Sequence, residues 1–222
     1  MGRGDAGLEP VTANPRRVVV SATLDFAFDV AGSVIDRDYP AALYRALAAR
    51  LPWLEEEPLA GVHPIRGLTP CADGLLVGGR TRIVLRVPEH RAASCTALQG
   101  ADIELPAPLH LGRVSQRDLL PYPVLHARLV VTGAQDEALF VTDVDAELAA
   151  LAIDCDTIVG RRGELRLDAH QTAVGFSLML HGLSPHDSLR AQEHGLGQQR
   201  KLGCGLFVPH KSVAAVGSRE WP

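Results

Sequence analysis

The chain has 222 residues, 46% of them apolar and 5% aromatic, enough for one large domain or two of about 100 residues each. A net charge of −4 speaks against indiscriminate coating of nucleic acid, and four scattered cysteines (Cys71, Cys95, Cys155, Cys204) with no C-x-x-C pair suggest neither a zinc site nor a disulfide framework. No run is apolar enough to span a bilayer, so the expectation is a cytoplasmic protein with reduced thiols, without membrane, metal or cofactor.

Residues 1–17 are rich in Gly, Pro and Arg, lack the apolar core of an export signal, and read as a flexible tail. Leu24, Phe26, Phe28 and Val30 then alternate with Asp25, Ala27, Asp29 and Ala31, which predicts a half-buried strand. Asp38 with Pro40 in the first turn opens a helix whose apolar face is Leu43, Tyr44, Leu47, Ala48 and Leu51. Strands are predicted near Ala60–Ile65 and over Thr81–Val87. A second helix runs from Pro88-Glu89 to about Leu98, and extended segments follow between Asp102 and Val114.

The same order then recurs. Val124–Thr132 reads as a strand and Thr142–Ile153 as a helix with Val144, Leu148 and Leu151 inward. Glu164–Asp168 and Val174–Leu180 form a hairpin. Ser184-Pro185-His186-Asp187 opens a helix with an N-cap serine, a first-turn proline and a capping-box acid, and Gly195 stops it. Leu206–Val208 is the last strand. The fold class predicted is α+β, two tandem ferredoxin-like (RRM-like, βαββαβ) units over residues 18–120 and 121–215.

Charge is unevenly spread. Residues 1–159 hold 14 Lys/Arg against 21 Asp/Glu, a balance of −7, whereas residues 160–222 hold 8 against 5, a balance of +3. The basic part contains the most informative segment, Gly195-Leu196-Gly197-Gln198-Gln199-Arg200-Lys201-Leu202-Gly203-Cys204-Gly205. Its two G-x-G pairs allow positive φ and close approach of a ligand. Backbone N–H groups so arranged can form an anion-binding concavity, with Arg200 and Lys201 as phosphate contacts. No window supplies the P-loop G-x-x-x-x-G-K-[ST], and the loop follows a helix and not a strand, unlike the dinucleotide fingerprint.

A duplicated ferredoxin-like chain whose last helix runs into G-x-G-x5-G-x-G with an internal basic residue resembles the CRISPR-associated repeat-RNA endoribonucleases, the Cas six family. Ala42-Leu43-Tyr44-Arg45-Ala46-Leu47, Leu51-Pro52-Trp53-Leu54, Gly61-Val62-His63-Pro64-Ile65-Arg66-Gly67, Gly175-Phe176-Ser177-Leu178-Met179-Leu180-His181 and Leu202–Lys211 resemble its myxobacterial-type subfamily. The resemblance implies a metal-independent cut within the repeat of a precursor transcript. The substrate's own 2′-hydroxyl attacks, leaving a 2′,3′-cyclic phosphate and a 5′-hydroxyl. It also implies that the protein stays on the 3′ hairpin of the guide RNA and joins other subunits of an RNA-guided CRISPR surveillance complex. The alternative is a non-catalytic RNA-binding subunit of such a complex, and a third reading is a ferredoxin-like interaction domain with an incidental glycine turn.

Such a cut needs a base for the 2′-hydroxyl proton, an acid for the departing 5′-oxygen, and a cation or donor near the phosphorane. Histidine suits the first two because it titrates near neutrality. The first candidate is His63, set between Gly61-Val62 and Pro64 beyond the first helix; His210 is the second, with its neighbour Lys211 as a phosphate or transition-state contact. Tyr39, at the start of the first helix, is a candidate donor to substrate. For RNA binding the candidates are the loop residues Gly195, Gly197, Arg200, Lys201, Gly203 and Gly205. Arg161 and Arg162 join them, read as a tight basic turn that clamps an RNA hairpin by its backbone.

Overall fold

The computed structural model describes residues 21–168 and 170–210. In chain order it contains β1 (Thr23–Ala31), β2 (Val34–Ile35), α1 (Tyr39–Arg50), β3 (Gly61–Val62), β4 (Thr69–Cys71), β5 (Gly74–Leu76), β6 (Arg82–Pro88), α2 (Ala92–Thr96), β7 (Asp102–Ile103), β8 (Leu109–Asp118), β9 (Val124–Val130), α3 (Glu137–Ala150), β10 (Asp156–Arg166), β11 (Thr172–His181), α4 (Pro185–His194) and β12 (Val208–Pro209).

The first unit is an antiparallel sheet in the order β3-β6-β1-β8-β7. The alternation read in β1 is real: Leu24, Phe26, Phe28 and Val30 enter a core with Leu43 and Leu47 of α1, while Asp25 and Asp29 stay on the opposite face. The second unit is the sheet β10-β11-β9-β12, with Leu125, Ala127, Leu178 and Leu180 packed against Phe140, Val144 and Leu148 of α3 and Ala191 of α4. In the first unit the edges β3 and β7 flank β6, β1 and β8, in the second β10 and β12 flank β11 and β9, and helices pack on one face of each sheet. The fold is therefore α+β with tandem ferredoxin-like units. Strands β2, β4 and β5 add a small sheet beside the first unit.

Four local expectations are corrected. The second helix is a 3₁₀ turn (Glu89–Arg91) followed by only five α-helical residues; its Ala-Ala-Ser-Cys-Thr sequence is a weak helix former, and the Thr96 hydroxyl bonds back to the Ala92 carbonyl. Helix α3 starts at Glu137 and not Thr142, because the Asp136 side chain accepts the Leu139 N–H at 2.9 Å and caps it there. Gly160-Arg161-Arg162-Gly163 is not a turn: it lies inside the 11-residue β10, at a bulge between Val159 and Arg162 where Gly160 faces Ser177. The final strand is Val208–Pro209, Leu206 and Phe207 being buried just before it. The expected tail over residues 1–17 lies outside the described residues.

The units are tied together by polar bonds. The Asp38 carboxylate, expected to cap α1, instead pairs with Arg166 of β10 at 2.8 Å. The Gln192 amide of α4 donates to the Leu120 carbonyl at 2.9 Å, and within the second unit the Ser188 hydroxyl accepts the Tyr122 N–H at 2.8 Å.

Candidate functional site

The glycine loop is built by its residue types. Ser184 caps α4, accepting the Asp187 N–H at 3.1 Å, and Gly195 ends it with φ 67°. Gly197, Gly203 and Gly205 also have positive φ (73°, 94° and 65°), which side chains rarely adopt. A Cβ at Gly197 would collide with the Val131 carbonyl, and one at Gly205 with the Leu196 carbonyl. Seven of the loop amides close it upon itself or tie it to the second unit. Leu196 donates to Gly205, Gln198 to Val131, Leu202 and Cys204 to Gln199, Gly203 to Arg200 and Gly205 to Leu129, while Gly197 donates to the Glu147 carboxylate. The glycines let the chain fold tightly upon itself, with most amides expected to cradle phosphate bonded within the protein.

What the loop presents is the 3₁₀ turn Arg200–Leu202, seated opposite β3 and α1, with Gly203 against Pro64. Two connected hollows lie in this seam. The larger, about 1340 Å³, runs between α1 and the turn and includes Tyr44, Arg45, Arg166 and Lys201 in its walls. The smaller, about 420 Å³, is walled by Arg37, Tyr39, His63, Arg128, Arg166 and Lys201. Five cations drawn from α1, its approach, β9, β10 and the loop therefore converge on one cleft. The Lys201 ammonium donates to the Glu55 carbonyl at its rim; burial lowers its pKa while Glu57 and Glu55 pull it up. Tyr39 is 7% exposed, and its hydroxyl accepts the Ile65 N–H at 2.8 Å. Burial raises its pKa, so it keeps its proton at neutral pH.

Arg200 also lines the larger hollow, but its guanidinium is held by protein carbonyls. Its Nε donates to the Leu59 carbonyl at 3.2 Å and one terminal nitrogen to the carbonyls of Gln192 and Glu193, while the other terminal nitrogen is buried without a partner. Burial, and then the charge of Arg86, press its pKa down to about 9. The guanidinium expected to contact phosphate cross-links the loop to the first unit.

Beneath the cleft lies a buried polar cluster. Arg86 of β6, 1% exposed, grips Asp25 of β1 with two bonds (2.7 and 2.9 Å) and donates to the carbonyls of Gln192 (2.9 Å) and Phe207 (2.8 Å), on either side of the glycine loop. His63, 3% exposed, places Nε2 3.6 Å from the same Asp25 carboxylate, just beyond hydrogen-bond reach, so that nitrogen has no partner. Burial pushes the His63 pKa from the usual 6.5 to about 4, Arg86 and Arg66 adding to the effect and Asp25 opposing it. Burial alone would raise the Asp25 carboxyl, but nearby His63 and the two bonds and charge of Arg86 hold it well below the usual carboxylate range.

The other sequence candidates fall elsewhere. His210 is exposed, its ring centroid 5.6 Å from that of His126, and lines neither hollow. Lys211 lies outside the described residues. Arg162 is exposed and pairs with Glu164 at 3.0 Å on the edge strand, with Arg161 exposed beside it. The sequence alone does not single out Arg37, Arg45, Arg128 or Arg166; their convergence depends on chain crossings that no local pattern carries. Among the described residues no three His, Cys, Asp or Glu side chains are grouped to hold a metal ion, and no helix is long and apolar enough to cross a membrane.

Comparison with known proteins agrees with this architecture. The family model described as Cas6 Crispr matches residues 24–212. The CRISPR-associated endonuclease Cas6 of Myxococcus xanthus (strain DK1622) is 40% identical over 197 residues, which is 88% of this chain and 85% of that protein. Among solved structures, a CRISPR-associated protein Cas6 superposes with a TM-score of 0.63 at 10% identity, covering 85% of this chain and 100% of that one. A Cas6-related protein from Pyrococcus furiosus gives 0.61 at 11% identity, covering 84% and 98%. At such identities these two speak for the fold alone, but the family match and the Myxococcus relative span most of the chain: it belongs to the Cas6 family of CRISPR-associated endoribonucleases.

Proposed function

We propose that this protein cuts CRISPR repeat RNA within precursor transcripts, in the cytoplasm and without a metal ion, at the cleft between its two units. The observation that carries this reading is the convergence of Arg37, Arg45, Arg128, Arg166 and Lys201 on a seam that also holds Tyr39 and His63. Those cations bind the phosphate backbone, with Arg161 and Arg162 on the exposed edge of β10 meeting the flank of an RNA hairpin.

In the chemical step His63 takes the 2′-hydroxyl proton, the 2′-oxygen bonds to phosphorus, the P–O5′ bond breaks and the 5′-oxygen takes a proton. Tyr39 is the donor to that oxygen, and Lys201 offsets charge on the phosphorane. The products are a 2′,3′-cyclic phosphate and a 5′-hydroxyl, and the protein stays on the 3′ hairpin of the guide RNA with other subunits of a surveillance complex.

One observation favours a second reading, a non-catalytic RNA-binding subunit: His63 is 3% exposed, so substrate must open a path to it. A single assay separates the two. A labelled transcript of the repeat from the neighbouring CRISPR array is incubated with the protein in EDTA, beside a copy with 2′-deoxy at the scissile nucleotide. Cutting of the first alone supports the enzyme. Tight binding with no cutting supports the second reading.

A further inference from the structure

We propose that Asp25 and Arg86 are positioning residues for His63, the carboxylate fixing the imidazole with hydrogen on Nε2 and the guanidinium holding both that carboxylate and the glycine loop. This rests on the reading of His63 as the base.

The His63 Nε2 is buried and has no hydrogen-bond partner. A buried nitrogen without a partner is rare enough to need a cause, and the Asp25 carboxylate stands only 3.6 Å from it. Catalytic hydrogen bonds are often long before substrate binds and close with it. With hydrogen on Nε2, the lone pair is on Nδ1, and His63 lines the smaller hollow. When Nδ1 takes a proton from substrate, the imidazolium faces an ionised acceptor. Neutral Asn would not supply this.

Arg86 makes the arrangement rigid. Its four bonds reach Asp25 on β1, the Gln192 carbonyl in the last turn of α4 and the Phe207 carbonyl beyond the loop. Arg200 donates to the same Gln192 carbonyl at 3.3 Å. A shift of the loop, as RNA engages Lys201, is therefore felt at Asp25 through one guanidinium. The groups that bear on the His63 charge are Asp25 of β1, Arg86 of β6 and Arg66 just past β3. Of these only Asp25 favours the imidazolium.

The test uses the full chain and the near-isosteric Asp25→Asn. In RNA-free protein, the ¹⁵N shifts of the His63 ring should show the Nε2–H tautomer in the wild type and a rise of the Nδ1–H form in the variant. With saturating repeat RNA, single-turnover cleavage should fall on the order of 10²- to 10⁴-fold while RNA affinity stays unchanged. The acid limb of the variant's pH–rate profile should move to lower pH. A wild-type rate and tautomer in Asp25→Asn, with His63→Ala inactive, overturns the positioning role and spares the base. A wild-type rate in His63→Ala overturns the base reading, and this proposal with it. Should Asp25→Asn fail to fold, Arg86→Lys gives the second reading: it keeps the charge but loses the two-pronged grip. A fall of roughly 10-fold supports the role; a wild-type rate contradicts it.

Discussion

His63 is neutral at pH 7 because burial, aided by Arg86 and Arg66, outweighs the pull of Asp25. The sign for stability follows. In the unfolded chain the imidazole gains its proton near 6.5, in the folded one only near 4, so stability is intact above 6.5 and is lost as pH falls through that window. The loss reaches roughly 3 kcal/mol below pH 4. Urea unfolding from pH 7 to 4 should therefore show a steeper decline for the wild type than for His63→Gln; parallel curves would count against the buried neutral imidazole. For catalysis, His63→Ala should abolish cutting in a single-turnover assay while leaving RNA affinity nearly unchanged, and retained cutting would refute its role. The sequence made His63 a candidate through its Gly-Val-His-Pro setting, which reads as an exposed turn or strand end; the strand end is there but the exposure is not. Its burial comes from the glycine loop packing over β3, a contact between residues about 140 positions apart.

At the scale of elements, the loop is a structural device whose glycines cannot be replaced cheaply. Gly197→Ala and Gly205→Ala place a Cβ against a carbonyl in a backbone that disfavours side chains. Each should cost more than about 1 kcal/mol, read as a lower thermal midpoint, whereas Gly133→Ala, with open space around it, carries only the φ penalty. Equal midpoints for all three would contradict the packing described. Elements with strong periodicity or explicit caps are legible in the sequence: β1, α1 and α4 lie where alternation, Pro40 and Ser184-Pro185 put them. The polar β10 is not, since an exposed edge strand with paired arginines at a bulge has no apolar alternation to read.

At the scale of the whole molecule, a buried guanidinium (Arg86, through the Gln192 and Phe207 carbonyls) and an exposed ion pair (Asp38–Arg166) join the units, and their loss should differ sharply. Arg86→Ala leaves Asp25 unpaired in a buried setting and should cost about 3–5 kcal/mol. Asp38→Ala breaks an exposed pair with Arg166 and should cost under about 1 kcal/mol. Denaturant titration compares them directly. For RNA, Arg128→Ala or Lys201→Ala should each lower the slope of log affinity against log salt by about 1; an unchanged slope would remove that residue from the phosphate track. The basic tilt of the chain's last third includes Arg166 and Lys201 but not Arg37, Arg45 or Arg128, and it does not say which cations face the cleft. Lys201 faces it, whereas the guanidinium of adjacent Arg200 is held by the carbonyls of Leu59, Gln192 and Glu193.

The most direct test is a crystal structure of the protein with repeat RNA carrying 2′-deoxy at the scissile nucleotide. The scissile phosphate should lie in the seam between α1 and the Arg200–Leu202 turn, touching Lys201, with the His63 ring within hydrogen-bond reach of the 2′ position. RNA lying across another surface, with this seam empty, would contradict the account.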